Sequence, residues 1–163
     1  MQFPQPIKEL ASLGDPMNSP PFGREIGFTL FGFNDLEVCT GLAWDESLVG
    51  NNQNQSVHGG VITTLMDQTF GAAVFRKLNT GKAVATVELR IDYMRPATPK
   101  LDIFCRAHCY RMTRRIAFVR GEVFQDDPEK PIAHGAGSFM INANDTVPMT
   151  FQNKIDPSTL GGA

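Results

Sequence analysis

The chain has 163 residues and a formal net charge of −2, with 42% hydrophobic and 20% charged residues. That size fits one domain with short extensions, and the apolar fraction excludes a wholly disordered chain. Near-neutral charge offers no general attraction to nucleic acid or to an acidic membrane, and no apolar run approaches the roughly 20 residues that span a bilayer.

In chain order, residues 1–22 read as an N-terminal extension. Pro4, Pro6, Pro16, Pro20 and Pro21 punctuate it, and only Ile7–Leu13 has the pattern of a short helix. Its start lacks a basic segment followed by an apolar one, so no secretory signal is expected and the chain is expected to be cytoplasmic. Glu25–Phe33, with Ile26, Phe28, Leu30 and Phe31, reads as a strand. Asn34-Asp35 reads as a turn and Leu36–Trp44 as the partner strand. Residues 45–57 are polar and turn-rich and read as a long loop. From Gly59 to about Lys77, Val61, Ile62, Leu65, Met66, Phe70, Ala73 and Val74 recur at helical spacing and form a broad apolar stripe. Asn79-Thr80-Gly81 ends this helix.

The period then changes to two. Val87, Leu89, Ile91 and Tyr93 alternate with Thr86, Glu88, Arg90 and Asp92, the pattern of a half-buried strand that stops at Pro96. Leu101–Tyr110 alternates again, Arg111–Arg114 reads as a hairpin turn, and Ile116–Phe124 and Pro131–Ile141 complete the strands. The last of these is rich in small residues at Gly135, Ala136 and Gly137. The expected core domain spans 23–142, and 143–163 read as a C-terminal tail. One long helix among mainly antiparallel strands needs a sheet to cover its stripe, so the class is α+β, with one curved sheet of about six strands wrapped around the helix. Cys39, Cys105 and Cys109 show no zinc spacing and read as buried, reduced thiols.

The chemistry lies in residues 51–75. Gly59-Gly60 stands where a loop becomes a helix, and the first backbone N–H groups there lack intrahelical partners. The helix dipole adds partial positive charge at the same end. Such pre-aimed donors can form an oxyanion hole, although the dipeptide alone reads first as a tight turn with His58 near the N-cap. Asp67 lies off the centre of the apolar stripe, on a flank with Thr63, Phe70 and Val74. It is either a poorly solvated base or nucleophile, or an ordinary surface carboxylate.

Together, His58, Gly59, Gly60, Leu65, Asp67, Gly71 and Ala73 form HGGxxxxLxDxxxGxA. This pattern resembles the hotdog-fold acyl-CoA thioesterases of the PaaI type. Asp92-Tyr93-Met94-Arg95-Pro96-Ala97 and Gly135-Ala136-Gly137-Ser138-Phe139-Met140 resemble two strand segments of the same family, and the resemblance covers about residues 22–142. It implies that Asp67 activates water or attacks the thioester carbonyl, that the Gly59 N–H polarises that carbonyl, and that His58 and Asn52 position the substrate. Asn51 and Asn54 compete with Asn52 for that role. Gly60 and Thr86, the latter aligned with a hydroxyl position, are implied in substrate binding, with Ala85 as the competitor to Thr86. Arg95, Arg114 and Arg115 either meet CoA phosphates or are solvated surface arginines. The resemblance further implies a homodimer, commonly a dimer of dimers and hence a homotetramer, with active sites at the interface. It implies no metal or prosthetic group; CoA enters only as part of the substrate.

His108 reads as a surface residue, and His134 as either a structural histidine or a border of the acyl pocket. The Phe-rich start (Phe22, Phe28, Phe31 and Phe33) reads as core, part of which could line an acyl channel. No GxSxG, P-loop or GxGxxG motif is present, which argues against a serine hydrolase or a nucleotide enzyme. Two rival readings share the fold: a hydratase or dehydratase of acyl thioesters, and a non-catalytic acyl-CoA binding module.

Overall fold

A computed structural model describes residues 21–33, 37–80 and 82–146. The expected helix at Ile7–Leu13, the turn at Asn34-Asp35 and the tail beyond 146 lie outside the described residues. The elements are α1 (Pro21–Glu25), β1 (Thr29–Phe33), β2 (Glu37–Leu42), β3 (Val49–Asn51), β4 (Ser56–Val57), α2 (Gly59–Leu78), β5 (Lys82–Tyr93), β6 (Ile103–Met112), β7 (Ile116–Phe124) and β8 (Ala133–Thr146). Six strands form one antiparallel sheet in the order β1-β2-β6-β7-β8-β5, and β3-β4 is a separate hairpin.

Three expected boundaries and connections are corrected. The first strand begins at Thr29 rather than Glu25, because Pro21–Glu25 is helical and Gly27, at φ 76°, turns the chain from α1 into β1. The loop 45–57 contains a single 3-10 turn, Glu46–Leu48, and the β3-β4 hairpin, because Asp45 caps that turn through a hydrogen bond from Ser47. The last strand runs past Ile141 to Thr146, where it pairs with Lys82 at the start of β5.

Helix α2 crosses one face of the sheet. Ile62, Leu65, Met66, Thr69, Phe70, Ala72, Ala73 and Val74 are buried beneath it, as its periodicity requires. Asn79 ends the helix in a left-handed conformation, with its N–H on the Phe75 carbonyl, 3.1 Å. The facing strands carry glycines where the helix presses closest. A Cβ on Gly135 would lie 2.8 Å from Met66 Cε, one on Gly121 2.8 Å from Phe70 Cε1, and one on Gly137 3.3 Å from Phe70 Cδ2. A buried polar pair adds direction: the Thr40 and Thr69 hydroxyls lie 2.6 Å apart, and Thr69 also donates to the Leu65 carbonyl, 2.5 Å. His134 is exposed on the opposite face with His108, Arg106 and Glu122, so it does not border the helix side.

Strand β5 departs from the expected half-buried pattern; none of its residues is fully buried. Its pairing with β8 steps from Thr86↔Phe139 to Glu88↔Ser138, so Val87 is an extra, bulged residue and is 59% exposed. The bulge reverses the alternation. Leu89, Ile91 and Tyr93 face the helix after it, whereas Thr86 and Val84, paired with buried Phe139 and Ile141, face the helix before it. Thr86 therefore does not share a face with Glu88.

All three cysteines are free and buried. Burial pushes the Cys39 thiol from the ordinary 9.0 up to about 12 and raises Cys105 as well. The unfolded thiols lose their protons first, so stability is fully present below about pH 9 and declines as pH rises towards about 12. Urea midpoints between pH 8.5 and 11 should fall less steeply for Cys39→Ala than for the native protein, on the order of one thiol's linkage. Gly121→Ala should cost about 1–3 kcal/mol in urea unfolding, because the methyl would press on the Arg106 carbonyl oxygen as well as on Phe70.

Candidate active site

The N-terminus of α2 is built around His58. Its backbone is extended (φ −62°, ψ 134°), and its Nδ1 accepts the Gly60 N–H at 2.9 Å. Its carbonyl accepts the Val61 N–H at 2.9 Å, and its own N–H donates to the Leu48 carbonyl at 2.9 Å. Accepting at Nδ1 assigns the ring proton to Nε2. Behind it, β3 approaches so closely that a Cβ on Gly50 would lie 2.6 Å from His58 Cα. The consequence for the two glycines is a division of labour. The Gly60 N–H is committed to the His58 cap, and no hydrogen bond among the described residues engages the Gly59 N–H. Gly59 carries the outward donor at the positive end of the helix.

Tyr93, at the end of β5, fixes this first turn from the other side. Its hydroxyl donates to the Gly59 carbonyl at 3.0 Å and lies 2.9 Å from the Thr63 hydroxyl, which itself donates to the Gly59 carbonyl at 3.2 Å. Tyr93 was legible in the sequence only as a strand residue; its link to Gly59 depends on β5 ending beside the helix start. Gly50 carried no sequence signal at all, since it lies in a polar loop.

Asp67 is half-buried on α2, and the Thr86 hydroxyl donates to its Oδ1 at 2.7 Å. The β5 bulge makes this contact possible, because it turns Thr86 towards the helix. Ala85, the rival to Thr86, pairs with Met140 on the opposite face. Asp67 follows Gly59 by eight residues on one helix, about 12 Å along the axis at 1.5 Å per residue. The two groups therefore stand at different levels of the helix.

Asn52 lies exposed in the β3-β4 turn, and its carbonyl accepts from Gln55 Nε2 at 3.0 Å. Its competitors use their side chains to shape the turn: Asn51 Oδ1 accepts the Gln53 N–H at 2.9 Å, and Asn54 Oδ1 the Ser56 N–H at 3.0 Å. The arginines divide between the two ends of the sheet. Arg95 lies near the Gly59 end and donates to the Lys130 carbonyl at 2.8 Å and the Pro96 carbonyl at 3.4 Å. Arg114 and Arg115 are exposed in the β6-β7 turn, at the end where Ile116 pairs with Met140 and Met140 with Ala85. Among the described residues, no three His, Cys, Asp or Glu side chains gather to hold a metal ion. Among the described residues, no helix is long and apolar enough to cross a membrane.

The sequence profile of the thioesterase superfamily matches residues 54–132, which include His58, Gly59, Asp67, Thr86 and Tyr93 but not Asn52. A Pseudomonas aeruginosa protein of known structure is 38% identical, over 82% of this chain and 93% of that one, with a TM-score of 0.68. The chain belongs to the thioesterase superfamily. Its six-stranded sheet wrapped around one long helix is the hotdog fold. The Escherichia coli PaaI protein of the phenylacetic acid degradation operon shares that fold, with a TM-score of 0.68 at 17% identity over 78% of this chain and 88% of its own. A Halobacterium salinarum protein that carries the provisional name of an esterase is 29% identical over 128 residues, 74% of this chain and 83% of its own. Superfamily membership and this relative support a thioester-cleaving hydrolase.

The His58 cap should be sensitive to its backing. Gly50→Ala should lower stability by about 1–3 kcal/mol, since the methyl meets backbone rather than a movable side-chain end. Thermal unfolding and the His58 ring resonances check this together, and unchanged ring shifts would contradict the packing described.

Proposed function

We propose that this thioesterase-superfamily protein hydrolyses an acyl-CoA to the free carboxylic acid and CoA, in the cytoplasm, at sites shared by two copies of itself. The observation that carries the reading is the pair of groups on α2: an outward Gly59 N–H at one level and a hydroxyl-held Asp67 carboxylate about 12 Å further on. A two-fold pairing sets the Gly59 end of one helix beside the Asp67 level of the other, so each carbonyl meets both. The β5 edge supports this assembly. It is a strand of 12 residues at the sheet margin, with Val87 59% and Tyr93 52% exposed, and an open edge of that length calls for a partner strand. The result is a homodimer, or a dimer of dimers giving a homotetramer.

In the reaction the Gly59 N–H and the helix terminus stabilise negative charge as it grows on the thioester oxygen. Asp67 of the other copy takes a proton from water, which adds to the carbonyl carbon, or attacks that carbon itself. In the water route the C–S bond breaks and the proton held by Asp67 passes to the departing sulfur. In the direct route the C–S bond breaks to leave a mixed anhydride on Asp67 and the CoA thiolate; water then hydrolyses the anhydride, returning the Asp67 carboxylate and giving its proton to the thiolate. Thr86 orients the carboxylate, while His58 and Asn52 hold the thioester and water. Arg95, Arg114 and Arg115 serve the CoA phosphates, and no metal or prosthetic group takes part.

Two substitutions test the reading and its division between copies. Asp67→Asn keeps the shape and should lower thiol release from acyl-CoAs by about 10²-fold or more. Gly59→Pro deletes only the N–H, since proline suits the first helical position and His58 is already extended; it should cost about 10²–10³-fold. Co-refolding the two inactive variants should restore about a quarter of native turnover, because half the dimers are mixed and each mixed dimer regains one site. Native turnover without such recovery would mean that each copy holds a complete site of its own.

A further inference from the structure

A cavity of about 450 Å³ opens beside the same helix terminus, on the flank away from Tyr93. His58 and Gly60 form its near wall. Phe22, Ile26, Leu48, Val49, Val61 and Thr64 form most of the rest, and no Asp, Glu, Lys or Arg lines it. The outer wall comes from α1 and the turn after it. The Phe28 N–H donates to the Gly23 carbonyl at 2.8 Å and the Gly27 N–H to the Arg24 carbonyl at 3.1 Å. Gly27 adopts φ 76° with open space where a Cβ would stand, so its backbone conformation alone calls for glycine. This turn brings α1 back across the start of α2 and leaves Phe22 59% exposed at the cavity rim.

We infer that this cavity receives the acyl chain of the substrate, a medium-sized apolar group, and that Phe22 and Thr64 set its length. The inference rests on the thioesterase reading above. A carbonyl held at the Gly59 N–H lies next to the cavity wall, so the chain on its carbon has a direct way in. The volume falls within the roughly 300–1,000 Å³ of small-molecule pockets. The lining also selects which half of the thioester enters. Nucleotide phosphates need cations, which the lining lacks; Ser47 and Thr64 bring hydroxyls, but a wall mostly of Phe, Ile, Leu and Val suits hydrocarbon better than the pantetheine amides. Phe22 stands in solvent without a substrate and gains cover when the cavity is filled.

The test measures kcat/KM for straight-chain acyl-CoAs from butanoyl to dodecanoyl with the native protein, Phe22→Ala and Thr64→Leu. Phe22 is exposed, so its truncation leaves folding intact. Phe22→Ala should raise the long-to-short ratio by about 10-fold, and Thr64→Leu should lower it by a similar factor, as for one or two methylenes in an apolar pocket. Calorimetric affinities of the same series, measured on an Asp67→Asn background where the esters survive, should move the same way. Turnover with an identical chain-length profile in all three proteins would overturn the pocket and leave the hydrolase intact. No turnover of any ester would overturn the hydrolase; the affinity series then decides the pocket, which fails if the variants do not alter chain-length dependence.

Discussion

Helix α2 rests on the sheet through Phe70 and Met66, which settle over Gly121, Gly135 and Gly137 where side chains would otherwise hold the helix away. This close seating governs the rest of the molecule. A helix pressed onto backbone has little freedom to slide, because interiors are packed to the density of organic crystals. Its buried stripe is therefore locked, and so is the half-exposed flank that carries Gly59, Thr63, Asp67 and Gly71. The neighbouring Thr40–Thr69 hydroxyl pair sits inside the same contact and resists rotation of the helix about its axis.

From that fixed helix, each end of the candidate site is completed by a different part of the sheet. The start of α2 meets the end of β5 through Tyr93, and its middle meets the bulged part of β5 through Thr86. One edge strand thus braces both groups, and the bulge at Val87 reconciles them, since a regular strand could not present both Tyr93 and Thr86 to the helix. The same strand is the margin of the sheet among the described residues.

The two glycines illustrate how a polar site avoids surplus donors. Gly60 gives its N–H to His58, and adding a Cβ there would meet the imidazole Nδ1 at 2.9 Å, so glycine is needed for the cap itself. Gly59 has room for a Cβ, which would lie 3.5 Å from the Tyr93 hydroxyl, so its significance lies in the direction of its N–H rather than in its size. The motif HGG therefore encodes one structural glycine and one positioned donor.

Much of this was legible in the residues. The helix and its buried stripe followed from spacing at 3.6, the sheet from spacing at 2, and the chemistry-bearing stretch from a glycine pair at a helix start with Asp67 two turns on. These features are local, and neighbours in sequence determine them. The helical Pro21–Glu25 was missed because five residues carry too little periodicity to distinguish a turn of helix from a strand. The phase of β5 was missed because a bulge adds one residue without a signature in composition, so Thr86 was assigned to the wrong face. That the Asn51 and Asn54 side chains are used within the turn is a property of the folded loop that spacing does not carry. The sequence by itself determined the elements, the order in which they come and the residue types available for chemistry. Only the tertiary structure decided that Thr86 meets Asp67 and that Tyr93 meets the start of the helix. Those two contacts join residues 19 and 34 apart, whose geometry exists only once the sheet has closed around the helix.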